Sequence, residues 1–188
     1  MRKKIKTLIS ESKKVSESLL DENLVGQIET LAKAIVTALK SGRKVLIFGN
    51  GGSAADSQHM AAELVGRFKK ERKPFPAIAL TTNTSTITAL SNDYGYEVSF
   101  SRQVEALGKA GDVAVGISTS GTAANVIAAA KKAKERKLVT AALTGKDGGK
   151  LKSETDIAIV VPANDTPRIQ EAHILIIHIL CELVEDGA

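Results

Sequence analysis

Apolar residues follow two alternating patterns along the chain. Short apolar runs, too continuous for half-exposed strands, predict strands buried in a parallel sheet; they lie at residues 45–48, 77–80, 112–119, 138–144 and 157–161. Segments with apolar residues three or four apart predict helices. One follows the glycines at 49–52 and runs to residue 68; the others lie at 97–107, 123–136 and 166–185, with a shorter one within 81–93. This alternation predicts an α/β fold, a doubly wound five-stranded parallel sheet flanked by helices.

Two further helices are predicted before the first strand, at residues 2–21 and 23–40. They precede any strand to which they could cross over, so their apolar faces must pack on the main body or on another subunit. We expect the helical pair within residues 1–42 to be used partly in contacts between subunits.

The overall composition is that of a soluble globular protein, with 43% hydrophobic and 25% charged residues. No shift in composition divides the 188 residues, so we expect one domain over residues 1–188. No apolar run is long enough to cross a bilayer, and the basic N-terminus lacks the apolar segment of a secretory signal. We therefore expect a cytoplasmic protein with no membrane partner.

Charge and cysteine content exclude some classes of function. The formal net charge is +5, but no aromatic residues interleave the basic ones, so nucleic-acid binding is not expected. The single cysteine, Cys181, cannot form an internal disulfide, and its apolar neighbours predict a packed thiol.

The stretch 44–68 carries the first candidate chemistry. Its apolar run ends at Gly49-Asn50-Gly51-Gly52, where an anionic oxygen would meet the positive end of the following helix, which Ser53 or Asp56 could cap. On that helix Asp56, His59, Glu63 and Arg67 share one stripe. His59 and Glu63, four residues apart, can reach one metal ion or one substrate, although such a pair is usually a plain surface contact.

A second polar cluster follows the third predicted strand, where Ser118, Thr119, Ser120 and Thr122 precede a helix. Hydroxyls and backbone N–H groups at such a point can hold a phosphate monoester. The alternative is helix capping, which needs only one hydroxyl.

The last helix is apolar almost all round, yet it carries Gln170, Glu171, His173 and His178, which are costly to bury without partners. Gln170 and His178 are separated by about 80° around the helix but by about 12 Å along it. One ion could contact both more readily if two subunits contributed to its site.

These motifs occur together in an order that resembles the sugar isomerase (SIS) domain family, over nearly the whole chain. The motifs are GNGGSAADSQHMAAEL, SNDYG, GISTSG, LTGKDGG and RIQEAHILIIHIL. Within that family, the resemblance is to members that isomerise a phosphorylated heptose. It implies an SIS fold and an aldose–ketose isomerase that converts sedoheptulose 7-phosphate to D-glycero-D-manno-heptose 7-phosphate through an enediol. It also implies a homotetramer with active sites at subunit boundaries and one zinc ion per subunit.

The resemblance further assigns roles to residues by position. Glu63 and His178 would be the catalytic acid and base. The zinc ligands would be His59, Glu63, Gln170 and His178. Residues that would bind the sugar phosphate are Asn50, Gly51, Gly52, Ser53, Glu63, Asn92, Asp93, Ser118, Thr119, Ser120 and Gln170. Where relatives often have a further serine in the phosphate loop, this chain has Ala123, for which Thr122 could compensate.

Two alternatives belong to other classes of protein. Related SIS proteins serve as non-catalytic scaffolds that bind the bacterial replication initiator protein, but this chain keeps Glu63 and His178, which can act as acid and base. An SIS domain that senses sugar phosphates in a regulator is disfavoured, since no DNA-binding module precedes it. The sequence leaves open whether the product would serve lipopolysaccharide or surface-layer glycans.

Overall fold

A sheet of five parallel strands forms the centre of the computed structural model, which describes all 188 residues. The elements in chain order are α1 (Arg2–Ser18), α2 (Glu22–Lys40), β1 (Val45–Gly49), α3 (Gly52–Val65), β2 (Ala77–Ala79), α4 (Thr84–Tyr94), a 3-10 helix (Tyr96–Val98), α5 (Ser101–Leu107), β3 (Val113–Ser118), α6 (Ala124–Glu135), β4 (Val139–Gly145), α7 (Gly149–Ser153), β5 (Ile157–Val161) and α8 (Thr166–Gly187). The predicted fold class is confirmed.

The strand order is β2-β1-β3-β4-β5, so β1 lies between β2 and β3. In register, Ile47 of β1 pairs with Ala79 of β2 on one side and with Val115 of β3 on the other. The order reverses between β1 and β3, and in open α/β sheets a crevice forms outside the carboxyl ends of the strands at such a point. The turns after β1 and β3 therefore border one crevice.

The unbroken apolar run of β1 is explained by helices on both faces of the sheet. Val45 and Ile47 belong to the core on the face covered by α2, α3 and α8. Leu46 and Phe48 point to the other face, into the core formed with α5 and α6. Alternate residues of one strand thus fill two separate hydrophobic cores.

Two sequence predictions are wrong, one about the burial of a strand and one about the continuity of a helix. The strand at 77–80 was predicted to be buried, but β2 lies at the edge of the sheet and Ile78 is 37% exposed. The helix predicted over 97–107 is broken between the 3-10 helix and α5. At this break Phe100 is buried and packs on Phe48, with ring centroids 5.8 Å apart.

Helix α1 has no buried side chains, and it leaves an apolar stripe exposed at Ile5, Leu8 and Ile9. Arg168 of α8 ties it to the body by donating to the Leu8 carbonyl at 2.7 Å. No helix in the structure combines the length and apolar character that crossing a membrane requires.

Candidate active site

The first turn of the crevice is built from glycine because its backbone needs an unusual conformation. Gly51, the N-cap of α3, has φ 57° and ψ −121°, a backbone conformation that residues with a side chain rarely adopt. No side chain caps α3, so the predicted cap by Ser53 or Asp56 is wrong: both residues lie inside the helix, and Ser53 is buried. The positive end of the α3 dipole is left uncapped by any side chain.

Gly52 allows the start of α8 to approach this turn. A Cβ atom at position 52 would lie 2.3 Å from Nε2 of Gln170, so only glycine permits the side chain of Gln170 to rest on the turn. Gln170 therefore lies at the first turn of α3.

Asn50 is held by two side chains that sequence reasoning missed. Its Oδ1 accepts from Asn125 Nδ2 and from the Tyr96 hydroxyl, both at 2.9 Å, and its Nδ2 donates to Asn125 Oδ1 at 2.8 Å. Asn125 is buried next to Val126 and Ala129 on the core face of α6. A polar residue on a predicted apolar face was the signal that could have identified it.

The hydroxyl cluster after β3 does not cap the helix that follows. The N-cap of α6 is Ala123, which has no side chain that can cap, whereas Asp21 caps α2 and Asn83 caps α4. Within the first turn of α6, the N–H of Val126 donates to Oδ1 of Asn125 at 3.0 Å. Ser120 and Thr122 instead bond to each other, with their hydroxyl oxygens 2.8 Å apart. The capping alternative is thereby removed for these hydroxyls, and the N-cap residue of the second helix beside the crevice also makes no side-chain bond to its helix.

Helices α3 and α8 run side by side in the same direction, and this brings the predicted acid and base together. Nε2 of His59 lies 3.0 Å from Nε2 of His178 and 3.3 Å from Oε1 of Glu63. The His59 and His178 rings are 5.1 Å apart between centroids. Glu63 and His178 thus both contact His59. Because His59 is exposed, a small molecule can reach this position.

Among the buried side chains of α8, His173 has a hydrogen-bond partner for one ring nitrogen, whereas its Nδ1 has none. His173 is fully buried and its Nε2 donates to the Thr144 carbonyl at 3.0 Å. Burial lowers the pKa of His173 to about 4, so this ring is neutral. Burial also raises the pKa of the Cys181 thiol to about 12, as expected for the packed thiol that the sequence predicted.

A zinc ion would find part of its ligand set already assembled here. Two ligand atoms at zinc bonding distances in a tetrahedral site are about 3.3 Å apart, close to the separations of His59 from His178 and from Glu63. The chain does not gather three His, Cys, Asp or Glu groups into one complete metal cluster. Gln170 lies two turns away along α8, against Gly52.

Asn92 and Asp93 lie exposed in the last turn of α4, where Asn92 Nδ2 donates to Asp93 Oδ1 at 2.9 Å. They follow β2 along the chain, whereas the two turns that border the crevice follow β1 and β3.

The chain was compared with known proteins. A family model described as "SIS domain" matches residues 9–145. A phosphoheptose isomerase of Aquifex aeolicus is 56% identical over 186 residues, covering 99% of this chain and 97% of that protein. One of Geobacter metallireducens is 53% identical over 187 residues, covering 100% and 98%. The solved structure of phosphoheptose isomerase GmhA from Neisseria gonorrhoeae matches with a TM-score of 0.93 at 45% identity, covering 98% of both chains.

We expect Asp56→Asn to stabilise the metal-free protein at alkaline pH. Burial raises the pKa of Asp56 to about 6, against the opposing effect of His59, and Oδ2 of its carboxyl has no hydrogen-bond partner. The pKa of Asp56 is higher in the folded protein than in the unfolded chain. The free energy of unfolding therefore falls as pH rises from about 4 to about 6 and the carboxyl group ionises. Discounted for partial exposure, the gain on removing it is about 1 kcal/mol at pH 8 and vanishes near pH 4.

Urea unfolding of the wild type and the variant at both pH values measures this difference. Glu11→Gln, which removes an exposed carboxylate on α1, is the control and should show no such dependence on pH. An Asp56→Asn protein that is no more stable than the wild type at pH 8 would contradict the burial argument.

Proposed function

This chain belongs to the phosphoheptose isomerases of the SIS domain family, and we propose that it converts sedoheptulose 7-phosphate to D-glycero-D-manno-heptose 7-phosphate through an enediol. The observation that carries the proposal is the contact of Glu63 and His178 with one shared neighbour, His59, on two parallel helices. A carboxylate and an imidazole at one place are the groups that an aldose–ketose isomerisation needs. The full-length identity above 50% to phosphoheptose isomerases supports the same conclusion.

In this mechanism Glu63 and His178 share two proton transfers. One of them removes the weakly acidic proton from the carbon beside the carbonyl, and the other moves a proton between the two neighbouring oxygens. Because Glu63 and His178 are both proposed metal ligands as well, a metal ion bonded to either group would lower the basicity of that group.

The phosphate of the substrate would be held at the two helix starts beside the crevice. Ser118, Thr119 and Ser120 offer hydroxyls at the start of α6, and the turn Asn50–Gly51–Gly52 offers backbone N–H groups at the start of α3. Thr122 lies within 2.8 Å of Ser120 and supplies a hydroxyl beside Ala123. Ser53, Asn92, Asp93 and Gln170 complete the proposed set of substrate contacts.

One zinc ion per subunit would be bound by His59, Glu63, Gln170 and His178. When bound, such an ion would supply positive charge that polarises the substrate carbonyl and stabilises the enediolate. The separations of 3.0 Å and 3.3 Å support the pairing of His59 with His178 and of His59 with Glu63. The position of Gln170 against Gly52 is the reason to expect more than one subunit at each site.

We expect the active sites to lie between subunits of a homotetramer. The exposed apolar stripe of α1 at Ile5, Leu8 and Ile9 supports a contact between subunits, because a single chain leaves it in water. The single cysteine, which is buried and forms no disulfide, supports action in the cytoplasm. The scaffold alternative is not favoured, since the full-length relatives described above are phosphoheptose isomerases.

Purified protein incubated with sedoheptulose 7-phosphate should form the heptose aldose, which chromatography or a coupled assay detects. Glu63→Gln and His178→Asn should each lower kcat by about 100-fold or more, because each removes one proton-transfer group. Glu71→Gln, which changes an exposed glutamate in the segment after α3, is the matched control and should leave kcat unchanged. A Glu63→Gln enzyme at the wild-type rate would remove Glu63 from the mechanism, and an inactive wild type would favour the scaffold.

Treatment with a chelator should abolish most turnover, and added zinc should restore it. The expected reason is loss of the charge that stabilises the enediolate. Metal analysis of the protein before and after treatment, with circular dichroism to show that the fold persists, separates loss of metal from unfolding. Full activity of protein shown to be metal-free would overturn the zinc proposal.

Light scattering should give a particle four times the mass of the 19.8 kDa chain. Replacing Leu8 with Lys should weaken the assembly by placing a charge in the α1 stripe, while Thr7→Lys on the same helix should not. A stable wild-type monomer that isomerises the substrate would contradict the interfacial site.

A further inference from the structure

The segment between α3 and β2 is irregular, yet one buried carboxylate binds three of its successive backbone groups. Glu185, near the end of α8, is only 8% exposed. Its carboxylate accepts from the N–H groups of Phe68, Lys69 and Lys70 at 3.0, 2.7 and 2.8 Å. These three bonds fix the segment to α8.

Arg72 completes this arrangement from the same segment. Its Nε donates to Glu185 at 3.1 Å, and its terminal nitrogens donate to the carbonyls of Glu63 at 2.8 Å and Leu64 at 2.9 Å. The guanidinium also stacks on Phe75, 4.0 Å from the ring centroid. The last turn of α3, where Glu63 lies, is thus tied to α8 through one ion pair.

The same segment places an aromatic ring on the proposed acid or base. The Phe68 ring lies on the imidazole of His178, with centroids 5.6 Å apart and planes inclined by 28°. His59 contacts the same imidazole. Since the N–H of Phe68 itself bonds to Glu185, the position of this ring depends on the carboxylate.

A buried ion pair needs a reason beyond stability, because well-packed apolar residues of similar volume often stabilise a protein as well. Burial opposes ionisation of Glu185, but the N–H groups of Lys69, Phe68 and Lys70, together with Arg72, outweigh it and hold its pKa below the usual value. The carboxylate is therefore charged at neutral pH, where its bonds are strongest.

We infer that Glu185 and Arg72 are positioning residues of the isomerase, which hold Phe68 against His178 and the last turn of α3 in place. Neither side chain is placed to act on the substrate itself; each acts through a neighbour. This inference rests on the proposed function in so far as it assigns His178 a role in turnover. Loss of the ion pair should free the His178 ring and lower the fraction of time in which it is aligned for proton transfer.

The test compares Glu185→Gln with Glu182→Gln. Both change a glutamate of α8 to its amide, but Glu182 is more exposed and pairs with Lys69 at the surface. Glutamine cannot accept on both side-chain atoms, so Glu185→Gln should lose hydrogen-exchange protection at the amides of residues 68–70 and show kcat reduced about tenfold, with KM nearly unchanged. Glu182→Gln should match the wild type in both measurements.

A second pair of variants tests the ring directly and does not disturb the ion pair. Phe68→Tyr keeps an aromatic ring on His178 and should retain kcat, whereas Phe68→Leu keeps an apolar side chain without the ring and should lose about tenfold in kcat. This pair also decides the question if Glu185→Gln fails to fold.

Two results would overturn the inference: retained exchange protection at residues 68–70 in folded Glu185→Gln, or an unchanged kcat in both Glu185→Gln and Phe68→Leu. Exchange protection can be measured on a protein that has no isomerase activity. Suppose that the wild type is inactive but Glu185→Gln loses exchange protection at residues 68–70 as expected. The proposed function and the role of Glu185 in turnover would then be overturned, while the anchoring of the segment by Glu185 would stand.

Discussion

The parallel packing of α3 and α8 on one face of the sheet is the constraint on which the site depends. Both helices start at the carboxyl edge of the sheet, after β1 and β5, and both therefore run back across the same face. Residues at equal depth along the two helices become neighbours: Gln170 meets Gly52, His178 meets His59, and Glu185 meets the segment that follows α3. One packing arrangement thus determines three contacts, the first at the crevice and the other two successively farther along the helices.

The two helices that start beside the crevice have no capping side chain. Asp21 and Asn83 cap α2 and α4, whereas the N-cap residues of the other six α-helices, α3 and α6 among them, make no side-chain cap bond. At α3 and α6 the corresponding residues are Gly51 and Ala123, neither of which bonds to the helix through a side chain. The chain gives up roughly 1 kcal/mol of capping energy at Ala123 and a few tenths of a kcal/mol at Gly51, and no N-cap side chain competes with an anion for either helix dipole.

Much of this could be predicted because it is local in the sequence. The five apolar runs gave the strands, and the spacing of His59 and Glu63 placed them on one helical face. Contacts between helices were not predictable in this way: nothing in the spacing of His178 shows that its ring meets His59 or Phe68. The break before α5 was missed because it follows from the burial of Phe100 against a distant strand. The edge position of β2 depends on strand order, which periodicity does not encode.

The shortness of β2 has a consequence for how copies of the chain can meet. An edge strand normally exposes a row of free backbone groups to which a strand of another molecule can add. Here the edge is three residues long, and Pro74 and Pro76 just before it have no N–H to donate. Growth of the sheet from one molecule into the next is thereby discouraged at the β2 edge.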